Sequence, residues 1–90
     1  MTVGFYGPHC PYIAPEELFR YYYKHLPELQ FPSREEKAMM HPAIREWYAN
    51  RGMEKVTPED VRRIRAAYYG MVEYVDGLIG RILDVVKSTI

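Results

Sequence analysis

The chain has 90 residues, with 12 basic and 12 acidic side chains and no formal net charge, enough for one small domain and no internal boundary. That balance excludes the electrostatic attraction on which nucleic-acid and anionic-membrane binding depend, and no apolar run is long enough to span a bilayer. The single cysteine rules out an internal disulfide and leaves the redox compartment open.

The chain opens on an apolar run with no basic segment ahead of it, so no leader is read here. Localisation stays open on that basis, with the cytoplasm favoured unless a leader lies outside these residues. Thr2-Val3-Gly4-Phe5-Tyr6 is short, apolar and rich in strand-favouring side chains, which predicts a buried strand. Gly7-Pro8 ends it, and His9 follows in a loop stiffened by Pro8 and Pro11. In open α/β sheets, ligands bind beyond the carboxyl ends of the strands. This placement makes His9 a candidate site residue, against the plainer reading of an imidazole that satisfies a turn. Cys10 beside it raises a cysteine nucleophile, but neighbours on an extended loop are expected to point apart and no third orienting group is evident. Cys10 therefore reads as a small packing residue. His9, Cys10, His25 and His41 match no familiar zinc spacing, so no metal ligand is assigned.

Pro15-Glu16-Glu17 predicts a helix through about His25, with Leu18, Phe19, Tyr22 and Leu26 on its apolar face. Tyr21-Tyr22-Tyr23 cannot all face one way, so at least one ring is expected at a surface or an interface. Residues 27–40 read as a loop carrying one helical turn at most. Pro42 to about Arg51 predicts a short helix, with Ile44, Trp47 and Tyr48 on one side and Gly52 as its stop.

Thr57-Pro58-Glu59-Asp60 supplies a capping hydroxyl, a proline at the first helical position and an acid three residues after the cap. The helix it opens carries Val61, Ile64, Tyr68, Met71, Val75, Leu78, Ile82 and Val85 at alternating steps of three and four, a heptad pattern. Val72, Ile79 and Val86 widen that stripe beyond a two-helix seam, toward packing on a sheet or on several helices. Gly70 and Gly77 each weaken a helix by about 1 kcal/mol relative to alanine, which close approach of another backbone would offset. Arg62, Arg63, Arg65 and Arg81 read as a solvated face, Arg63 being spaced to pair with Glu59 or Asp60.

Gly7-Pro8-His9-Cys10-Pro11-Tyr12 after an apolar run, followed by Arg65-Ala66-Ala67-Tyr68-Tyr69-Gly70 and Val75-Asp76-Gly77-Leu78-Ile79-Gly80-Arg81-Ile82-Leu83, resembles the sulfatase family of the alkaline phosphatase superfamily. The resemblance implies that His9 contacts the sulfate ester. It also implies calcium and a formylglycine, the latter made from the cysteine or serine of a Cys-x-Pro-Ser-Arg type motif. Here Pro32-Ser33-Arg34 occurs with Gln30 where that cysteine would stand, and Cys10 is followed by Pro11-Tyr12-Ile13-Ala14. The family's aspartate pairs for calcium are missing too.

Together these readings predict an α/β fold, as one piece of a sulfatase-like catalytic domain covering residues 1–90, mostly helical with one N-terminal strand and a long C-terminal helix. The expected activity of the whole enzyme is hydrolysis of a small-molecule or sugar sulfate ester. His9 is the substrate-binding residue in this piece, and no residue of it is assigned to catalysis or to calcium. The alternatives are a phosphonate or phosphate monoester hydrolase of the same superfamily and a noncatalytic helical interaction module. A strand without a partner and a wide apolar stripe predict that the isolated chain self-associates or stays a loosely packed helical state.

Overall fold

In the computed structural model, which describes residues 1–90, four α-helices follow one another: α1 (Glu16–His25), α2 (Arg34–Ala38), α3 (Pro42–Asn50) and α4 (Pro58–Thr89), with a 3₁₀ turn at Met53–Lys55. No strand forms at Thr2–Tyr6, so the expected α/β element is absent, while the mostly helical character and the long C-terminal helix are as expected. Residues 1–6 have no regular structure and lie against the C-terminal half of α4, where Met1 and Phe5 line an apolar hollow with Leu78, Ile82 and Val85. The physical reason is pairing. A strand exists only through hydrogen bonds to a neighbour, and no other segment of the chain offers an edge to Thr2–Tyr6.

α2, α3 and α4 each begin where the sequence supplies a capping side chain, whereas α1 starts after Pro15 without one. Ser33 Oγ accepts the Glu36 N–H at 3.1 Å and starts α2, while His41 Nδ1 accepts the Ala43 N–H at 3.1 Å and starts α3. Gly52, at φ +65°, follows the end of α3 in the left-handed region that glycine enters without strain. At the head of α4, Thr57 Oγ1 accepts the Asp60 N–H at 3.1 Å and Asp60 Oδ2 accepts the Thr57 N–H at 3.0 Å, a reciprocal capping box. The hydrogen bond from the Thr57 backbone, reinforced by its hydroxyl, holds the Asp60 carboxyl below its usual range. A depressed pKa contributes stability above the unfolded value, and that contribution disappears as pH falls through the folded value. The first turn of α4 is therefore expected to loosen on acidification below about pH 4, the ordinary aspartate range. Asp60→Ala should remove that acid-side step; an unchanged step in the circular-dichroism titration would assign it to another carboxylate.

α1 packs antiparallel on the N-terminal half of α4. Ala14 and Leu18 meet Gly70. At the other end the Tyr23 hydroxyl donates to Glu59 Oε1 at 2.6 Å, Arg62 Nε donates to the Tyr23 carbonyl at 2.7 Å, and Arg65 Nη1 donates to the Pro27 carbonyl at 3.1 Å. The two arginines thus satisfy carbonyls at and just beyond the C-terminus of α1, groups with no partner inside their own helix. Arg63 pairs with Glu59 at 3.3 Å, as its spacing predicts. Leu18, Phe19, Tyr22 and Leu26 are half-buried, and Tyr21 is the outward ring of the tyrosine run.

The closest packing does not use the heptad stripe. Only Ala66, Ala67 and Gly70 are buried, and Ile64 and Tyr68 sit roughly 160° around the helix from Ala66. Small side chains at Ala66 and Gly70 let α1 approach α4 closely, and that closeness outweighs apolar size in choosing the face. A Cβ built on Gly70 would stand 2.8 Å from the Ala14 Cβ and 3.4 Å from the Leu18 Cβ, whereas one on Gly77 meets nothing within 4 Å. Opposite effects are expected from one change at two positions. Gly77→Ala should stabilise the helix by about 1 kcal/mol through propensity alone. Gly70→Ala gains the same term but overpacks a tight contact at about 1–3 kcal/mol, a net loss. Thermal loss of helicity measures both, and a stabilised Gly70→Ala chain would show that α1 does not seat on Gly70.

Candidate functional site

The site is the turn at residues 6–10. The His9 N–H donates to the Tyr6 carbonyl at 3.2 Å and closes it. Gly7–Pro8 and Cys10–Pro11 are both cis peptide bonds, and His9 between them is exposed. α4 backs the turn, since a Cβ on Gly7 would lie 3.4 Å from Val75 Cγ2 and 3.6 Å from Met71 Cε. His9 thus leaves a turn seated on a helix, not the end of a strand. The imidazole Nδ1 lies 2.7 Å from the Cys10 carbonyl oxygen. A carbonyl only accepts, so Nδ1 carries the proton in this contact and Nε2 is left without a protein partner. The Tyr6 hydroxyl donates to the same Cys10 oxygen at 3.2 Å, and its ring centroid is 5.1 Å from that of His9.

Cys10 does not point away from His9, as an extended loop would have it. Sγ lies 3.5 Å from His9 Nδ1, because the turn folds the two side chains to one side. That nearness does not make a nucleophile. The Nδ1 proton is held by the Cys10 carbonyl, so this nitrogen has no lone pair to receive the thiol proton, and no carboxylate orients the ring from behind.

The other sequence candidates are dispersed. His25 closes α1, with Nδ1 2.7 Å from the Tyr21 carbonyl and its ring stacked on Tyr21. His41 caps α3, and Ser33 of the Pro32-Ser33-Arg34 triplet caps α2. No three His, Cys, Asp or Glu side chains gather in a way that could hold a metal ion. No helix is long and apolar enough to cross a membrane.

Chemically, the turn offers one imidazole nitrogen to solvent. Neutral, with Nδ1 protonated, His9 presents a lone pair at Nε2; as imidazolium it presents an N–H there. The second form suits an anionic oxygen or one that gains charge in a reaction. Sequence reasoning missed the part played by Tyr6, which it placed in the strand. The available signal was a tyrosine three residues before the histidine across a Gly-Pro turn.

Along 92 aligned residues the chain is 32% identical to the choline-sulfatase of Rhizobium meliloti (strain 1021), a match that covers 99% of this chain and 18% of that protein. No family model matches the chain. No solved structure matches it either. Similarity to a sulfatase thus runs through the whole of this chain, which spans less than a fifth of that relative.

Proposed function

We propose that these residues are the part of a sulfuric ester hydrolase that presents His9 to the ester. The observation that carries the reading is the similarity to choline-sulfatase through almost the full length of the chain. The geometry of the turn supports it: His9 is exposed, and its Nε2 is uncommitted while Nδ1 is held by a backbone carbonyl. In this reading His9, as imidazolium, donates from Nε2 to the bridging oxygen and stabilises the charge that develops as the S–O bond breaks. The formylglycine nucleophile and the calcium of such an enzyme are supplied by residues outside these ninety.

Choline sulfate, an aryl sulfate and a sulfated sugar are the candidate substrates, and phosphate or phosphonate monoesters present a similar anionic centre. The test is a chimera in which this chain replaces the matching stretch of the rhizobial choline-sulfatase, assayed on that panel. Retained hydrolysis of a sulfate ester supports the reading; a folded chimera without it on any sulfate ester rejects the reading. The isolated chain is expected to turn over none of the panel, because it has no residue in place to serve as nucleophile. Turnover of an aryl sulfate by the pure chain, lost in His9→Ala, would mean that a nucleophile lies within it.

A noncatalytic helical interaction module is the second reading. It is favoured by Ile64, Tyr68 and Val72, one line of apolar side chains along α4 at 47%, 41% and 41% exposure, of which Tyr68 is met edge-on by Tyr12. A chain that is monomeric, cooperatively folded and bound to a partner helix through those residues would favour it.

A further inference from the structure

The geometry points to Tyr6 as a positioning residue for His9, one that fixes which ring nitrogen faces the ligand; this deepens the reading of His9 as the group that meets the ester. Tyr6 holds the turn at both ends. Its carbonyl accepts the His9 N–H at 3.2 Å, and its hydroxyl donates to the Cys10 carbonyl oxygen at 3.2 Å. That oxygen is also the acceptor for His9 Nδ1, at 2.7 Å. A carbonyl has two lone pairs, so it serves phenol and imidazole together.

The arrangement has a direction. Cys10 and Pro11 are exposed, and the Cys10 carbonyl has no backbone donor among the bonds that close the turns. Its orientation toward His9 therefore depends on the side chains that reach it, and Tyr6 is the one of these that is not itself the group being oriented. With the hydroxyl in place, the carbonyl stays aimed at Nδ1, Nδ1 keeps its proton, and Nε2 is the nitrogen presented outward. Without it the carbonyl turns to water, and the imidazole is free to place its proton on either nitrogen. A histidine whose tautomer is fixed by the hydrogen bond of its other nitrogen is a general device for ring orientation. Here the phenol acts one step behind it. Tyr6 touches no reacting atom in this scheme; it works through Cys10 and His9.

The test reads the ring directly. Long-range ¹H–¹⁵N correlation spectra of the labelled 90-residue chain in alkaline solution report the neutral tautomer of each histidine. The expected result is a single Nδ1–H form for His9 in the unaltered chain and in Tyr12→Phe, and a mixture of both tautomers in Tyr6→Phe. An Nε2–H form in the unaltered chain would overturn the proposal, as would a single Nδ1–H form in Tyr6→Phe. Tyr6 is 73% exposed and the variant removes only its oxygen, so helical circular dichroism should stay unchanged. In the choline-sulfatase chimera, Tyr6→Phe should lower turnover by roughly 10-fold, the lower end of the range for partners that orient a functional histidine. The two assays separate the claims. Loss of the sulfatase reading leaves the tautomer result standing, and a failed tautomer test leaves the hydrolysis assay intact.

Discussion

Replacing His9 with alanine in the choline-sulfatase chimera is expected to lower turnover of a sulfate ester by roughly 100-fold or more, the usual scale for a positioned proton donor or oxyanion partner. The size follows from what the turn does. Nε2 is unpaired, and although the substitution also takes the Nδ1 donor from the Cys10 carbonyl, that carbonyl belongs to an exposed residue and keeps the Tyr6 hydroxyl, so no buried partner is stranded. The loss should therefore appear in chemistry and not in folding. His25→Ala and His41→Ala are the controls. Those imidazoles bond the Tyr21 carbonyl and the Ala43 N–H within their own helices, and their loss should touch stability by about a capping interaction without a matching fall in turnover. Unchanged kinetics in His9→Ala would return His9 to the role of a residue that merely satisfies its turn.

What was legible in the sequence was local. The capping box of Thr57 and Asp60, the stop at Gly52 and the bounds of α1 depend on residues within a few positions of one another, and the structure has them. The turn at Gly7-Pro8 was legible for the same reason. The misreadings came from terms set at a distance. Thr2–Tyr6 has the composition of a strand, but a strand is a property of two segments, and the second is not in this chain. The heptad stripe of α4 is a packing face in its C-terminal part, where Met71, Val75, Leu78, Ile82 and Val85 meet residues 1–7, but α1 chose Ala66 and Gly70, because backbone approach rewards small residues that a search for large apolar ones passes over. Gly70 was flagged for close approach and makes it; Gly77 was flagged equally and does not. The spacing of Tyr6 and His9 across Gly7-Pro8 put the two side chains near each other, but their convergence on the Cys10 carbonyl depends on how residues 7–10 bend and was not legible.

The isolated chain is expected to self-associate rather than to behave as a well-packed monomer. Its solvent-accessible surface is 7763 Å², whereas a folded monomer of 10.7 kDa exposes roughly 5,500 Å². Its radius of gyration is 18.0 Å, against about 12 Å for a compact domain of this length. Both excesses arise from α4, whose 32 residues extend well past the ten of α1. Beyond Gly70 the helix is backed mainly by the irregular segment and turn at residues 1–7, and Val72, Ile79, Leu83 and Val85 stay 41–62% exposed. Apolar surface left open in this way drives association in water. Sedimentation velocity across a concentration series should show mass rising with concentration, and denaturant should melt the helices over a broad range with α4 the last to go. Replacing Ile79 and Leu83 together by glutamine, on positions that α1 does not touch, should shift the distribution toward monomer while leaving the capped N-terminal turns of α4 helical. A monomer with one sharp unfolding transition would show that these residues close their own core. That outcome would remove the physical argument for a larger surrounding domain and would promote the interaction-module reading over the hydrolase.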